Sequence, residues 1–94
     1  MDNFMSLLFG IMNNNYETAE KVGRTQVGPF TVDTCHTIDC GWETAIWKNS
    51  NPMIIVARYN TKEEAEKGHE DWCAVCLNNP VSAWSVQMEE YETF

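Results

Sequence analysis

Ninety-four residues, 44% hydrophobic and 12% aromatic, can fill one small core but not two, and exclude a wholly disordered chain. Fourteen acidic against six basic residues give a formal net charge of −8. That sign repels phosphate backbones and anionic lipid, so direct nucleic-acid binding and membrane adhesion are not expected, whereas a basic protein partner is.

The chain begins Met1-Asp2-Asn3-Phe4-Met5-Ser6-Leu7-Leu8-Phe9-Gly10-Ile11-Met12. A signal peptide would need a basic start and a small-residue cleavage site, but Asn13, Asn14 and Asn15 follow instead. The run is too short to span a bilayer, so cytoplasmic residence is the expectation. Asp2 can cap a short helix on which Phe4, Leu7, Leu8 and Ile11 form one apolar stripe. A helix this short needs a packing partner, and a second copy of the chain would make the stripe a dimerisation surface. Residues 13 to 25 are polar and read as loop.

Gly28-Pro29 marks a turn, and Phe30 to Asp39 reads as a strand. Alternation places Phe30, Val32, Thr34, His36 and Ile38 on the core face, with Asp33, Cys35 and Asp39 opposite. Cys40-Gly41 reverses the chain into Trp42 to Trp47, and Lys48 to Pro52 is a loop before the strongest strand, Met53 to Tyr59. Thr61 with Glu64 has capping-box spacing and opens a helix that Asn78-Asn79-Pro80 stops. Ala65, Gly68, His69, Trp72, Val75 and Cys76 share its inner side, which makes Trp72 a structural residue. Val81 to Met88 alternates as a last strand. The sum is one α+β domain, a mainly antiparallel sheet of three or four strands covered by one main helix, with a short N-terminal helix. Its parts are a helical and polar extension over 1–25, a β-β-β-α-β core over 26–88 and an acidic tail over 89–94.

Cys35 and Cys40 with Cys73 and Cys76 suggest zinc, but the first pair lacks knuckle spacing and the second lies within a helix. Reduced structural cysteines are expected, with no metal and no cofactor. A redox pair belongs at a helix start, not at its third or fourth turn. His69 stands four residues before Cys73, within reach on a helix, yet no orienting group or oxyanion site accompanies them. Asp33, Asp39 and Glu43 surround one hairpin, but Asp33 and Asp39 are too far apart for a simple dyad, so all three are read as solvated carboxylates. No catalytic residue is therefore assigned, and a non-enzymatic role is favoured.

Trp42 and Trp47 have opposite strand parity, so one regular strand cannot bury both on one face. An exposed Trp among acids is a good interface anchor. Trp47, with Glu43 and Asp39, is the expected partner-binding group.

Gly41-Trp42-Glu43-Thr44-Ala45 and the segment Arg58-Tyr59-Asn60-Thr61-Lys62-Glu63-Glu64-Ala65-Glu66-Lys67-Gly68-His69-Glu70-Asp71-Trp72 resemble a group of small tailed-bacteriophage proteins of undefined function. The resemblance covers roughly residues 28 to 77 and carries no site assignment. It implies residence in an infected bacterial cytoplasm and a role in host takeover or in inhibiting a defence system. The leading expectation is thus a small acidic phage accessory protein that binds a host or phage protein. The alternatives are a structural virion protein and a small Cys/His-dependent hydrolase or nucleotide-modifying enzyme.

Overall fold

Four antiparallel strands follow one another as a meander in the order β1-β2-β3-β4. In the computed structural model, which describes residues 18–94, these are β1 (Thr18–Val27), β2 (Phe30–Thr37), β3 (Gly41–Lys48) and β4 (Ile54–Tyr59). Val27 pairs directly with Phe30, so Gly28-Pro29 is the whole first connection, and Gly28 takes the left-handed φ of 59° that such a turn requires. Thr37 pairs with Gly41, also left-handed at φ 74°. The strand therefore ends two residues earlier than alternation predicts, and Ile38 stands 65% exposed in the turn instead of in the core.

Helix α1 (Lys62–Leu77) covers one face of this sheet. Thr61 is its N-cap, its hydroxyl accepting from the Glu64 amide at 3.1 Å. The Glu64 carboxylate accepts from the Asn60 amide, one residue upstream of the usual capping-box donor. Under the helix lies the main core, built on Phe30, Val32, Ile46, Ile54, Val56 and Cys76. Trp72 is half-buried and packs against it. Gly68 sits where any Cβ would overlap the Tyr59 ring, so its missing side chain sets how closely α1 approaches β4. Between Thr44 and Ala45 the β3–β4 register slips by one residue, which brings Tyr59 opposite Trp42.

Three further elements differ from the sequence reading, the first being the last expected strand, which spans Ser82–Ser85 and not Val81 to Met88, with residues 86–89 in a turn. The polar stretch expected to be loop before residue 25 contributes β1, an edge strand held by β2. The expected acidic tail contributes β6 (Glu90–Thr93), which pairs antiparallel with β5 (Ser82–Ser85) as a separate two-stranded sheet. The Val86 amide donates to the Ile55 carbonyl at 2.9 Å, fastening this hairpin beside β4. The result is the expected α+β architecture, with four- and two-stranded antiparallel sheets and one main helix among the described residues. Phe4, Leu7, Leu8 and Ile11 lie outside the described residues.

Candidate functional site

Three regions hold the side chains that could carry chemistry or recognition: the layer between α1 and the sheet, the opposite sheet face, and the β5–β6 hairpin.

Between helix and sheet runs a chain of hydrogen bonds. Thr25 Oγ1 lies 2.9 Å from His69 Nε2, and His69 Nδ1 lies 2.7 Å from Thr34 Oγ1. Thr34 Oγ1 is 2.6 Å from Thr44 Oγ1, which is 3.0 Å from Tyr59 Oη. Each strand contributes one member because Thr34 and Thr44 are directly paired across β2 and β3. Burial lowers the His69 pKa from its ordinary value, against the pull of Asp33 and Glu70 and with a small push from Lys21. Burial likewise raises the Tyr59 pKa. Both imidazole nitrogens are engaged by threonine hydroxyls, which leaves neither directed at a thiol. Cys76 is buried under the helix and its thiol is pushed up to about 11, away from the reactive thiolate. All four cysteines are free thiols. Among the described residues no group of three or more His, Cys, Asp or Glu side chains is placed to hold a metal ion. Among them, too, no helix is long and apolar enough to cross a membrane.

The opposite sheet face is buried as well, contrary to the reading of Asp33 and Glu43 as solvated. Asp33 accepts from Lys21 Nζ at 2.6 Å and from Arg24 Nε and Nη2 at 3.0 and 2.7 Å. Arg24 is its direct cross-strand partner, as Arg58 is of Glu43, where the Nε donates at 3.3 Å. Trp47 is only 7% exposed. It clusters with Ala45 and Ile55, with Met53 and Val86 packed against them, and the Arg24 guanidinium lies 5.6 Å from its ring. The expected exposed anchor is thus an interior group, and Glu43, four residues before it on β3, is 3% exposed. Asp39 stands at the surface in the β2–β3 turn, apart from Trp47 at the far end of β3. Parity did separate the two tryptophans: Trp42 lies on the helix side, edge-on to His36 at 4.8 Å.

The basic side chains can be followed one by one. Lys21 and Arg24 serve Asp33, Arg58 serves Glu43, Lys67 bonds Asp71 at 3.2 Å, and Lys62 pairs with Glu20. Lys48 Nζ lies 5.7 Å from the Phe30 ring. Among the described residues, Glu63, Glu66, Glu70, Glu89 and Glu90 are exposed and paired with no basic side chain.

The hairpin presents what the sequence reading overlooked. Trp84 and Tyr91 are cross-strand partners, their rings edge-to-face at 5.1 Å and 79°, yet they are 46% and 73% exposed. Ala83 and Ser85, on either side of Trp84, are the inward residues. That alternation was the available signal: small residues occupy the inner positions of a short strand whose one large residue points the other way.

No protein family matches the chain, and neither a curated protein nor a solved structure is significantly similar to it.

Proposed function

We propose that the protein is a small acidic phage accessory protein. It acts without catalysis, by binding a host or phage protein with a basic surface in the cytoplasm of an infected bacterium. A component of a bacterial defence system is the partner class that the resemblance to small phage proteins favours. The observation that carries the reading is the disposition of charge. Five of the six basic side chains pair with a carboxylate of the same fold and Lys48 lies over the Phe30 ring, so Glu63, Glu66, Glu70, Glu89 and Glu90 are left at the surface with no ion-pair partner among the described residues. Such a surface attracts a cationic partner from a distance and rejects polyanions.

Affinity purification from expressing or infected bacteria, at low and at moderate salt, tests this. A basic protein should be enriched, and its association rate should fall as ionic strength rises. Absence of any enriched partner at both salt concentrations would refute the proposal.

A further inference from the structure

We infer that the outward face of the β5–β6 hairpin joins two copies of this chain. Strand parity puts Ser82 and Trp84 of β5 on that face with Tyr91 and Thr93 of β6, as the cross-strand pairs Trp84–Tyr91 and Ser82–Thr93. All four are exposed, whereas Ala83 and Ser85, which alternate with them, are buried. The two rings are already set edge-to-face, on a ribbon fastened to β4 by the Val86–Ile55 hydrogen bond. A contact made there needs little further ordering, and Trp and Tyr are the side chains most often found at the energetic centre of an interface.

Charge and symmetry select the occupant. None of the four outward residues is charged, because Glu90 and Glu92 pair with Ser85 and Ala83 on the other face. Residues 72 to 88 contain no Asp, Glu, Lys or Arg at all. A basic protein therefore finds no counter-charge on this face. Two chains that each carry −8 repel one another, and they meet at least cost where neither presents charge. The face is also self-complementary. A twofold axis parallel to the strands, between two facing ribbons, lays each Trp84 over the second copy's Tyr91 and each Ser82 over its Thr93. Four residues a side cover far less than the roughly 800 Å² per partner of a stable complex, so the dimer is weak and forms at high local concentration. Salt screens the repulsion between the copies and strengthens the dimer, opposite in sign to its effect on capture of a basic protein. The inference is thus independent of the proposed function.

Sedimentation equilibrium of the full chain from about 10 µM to about 1 mM, at about 50 and about 500 mM salt, tests it. The mass should climb from monomer toward dimer with concentration, and at lower concentration in the higher salt. The Trp84 and Tyr91 ring signals of the native chain should move over the same range in nuclear magnetic resonance. Trp84→Thr, which keeps a strand-favouring residue at an exposed site, should weaken self-association at least about tenfold while the rest of the spectrum stays in place. Tyr91→Thr should do the same from the neighbouring strand. Monomer mass throughout the range in high salt would overturn the inference, as would dimers of undiminished strength in both variants. A dimer that weakens as salt rises would also overturn it, since opposite charges would then carry the contact. Monomer mass together with a cellular partner that binds the native chain and not Trp84→Thr would give the face to another protein instead.

Discussion

Trp47 and Trp84 both stand on short antiparallel strands, one 7% and the other 46% exposed. The difference lies in what surrounds each strand. Trp47 belongs to a four-stranded sheet whose two faces are both buried, so a side chain pointing away from the helix still enters an interior. Trp84 belongs to a two-stranded ribbon that lays Ala83 and Ser85 against the domain, leaving its outward residues to solvent. An indole on a strand is therefore buried or exposed according to the number of packed layers as well as its own alternation.

The sharpest way to break this comparison is to truncate both rings. Trp47→Ala should cost about 3–5 kcal/mol in urea unfolding, as deletion of a buried indole does. A loss below about 1 kcal/mol would place Trp47 at a surface after all. Within the interlayer, Gly68→Ala should cost about 1–3 kcal/mol, because the added methyl must displace the Tyr59 ring or lift the helix. Full stability in that variant would show that α1 has room to shift.

A smaller effect is expected from pH. Burial holds the His69 pKa below its ordinary 6.5, so the folded state prefers the neutral ring. The stability it contributes is complete above pH 6.5 and declines as pH falls through that value toward the lowered folded pKa. Unfolding free energies across this window should slope downward with acidification in the native protein and flatten in His69→Gln. An unchanged slope would disprove the assignment. The smallest change belongs to Trp84→Thr, which loses one exposed aromatic pair and should cost at most about 1 kcal/mol. A loss matching that of Trp47→Ala would erase the distinction between the two regions.

Local signals made much of the fold legible. Thr61, Glu64 and Asn78 bound the helix where capping chemistry says they should, and Phe30, Val32, Ile54 and Val56 follow the alternation of buried strands. What escaped depends on pairing between distant residues. Thr18–Val27 is polar and lacks a strand pattern of its own; it is held by β2 and by Lys21 and Arg24 reaching Asp33. Asp33 and Glu43 look solvated in sequence because their cations lie 9, 12 and 15 residues away, brought near only by the register. The same holds for Trp84 and Tyr91, seven positions apart and joined by a turn in which Glu89 takes a left-handed φ of 57° that its residue type does not announce. The His69–Threonine chain draws on four strands and the helix, so no window of sequence contains it.

That chain has a direction, and the direction can be reversed. With its proton on Nδ1, His69 donates to Thr34, Thr34 to Thr44 and Thr44 to Tyr59, while Thr25 donates to Nε2. With the proton on Nε2, His69 donates to Thr25 and every other link runs the opposite way. A neutral imidazole fits both orders, since each hydroxyl can give or receive. An imidazolium donates from both nitrogens and permits only one orientation of Thr34 and Thr44. Protonation would thus remove one of the two hydrogen arrangements open to the interlayer, a loss of freedom felt as far as Tyr59 without any heavy atom having to move.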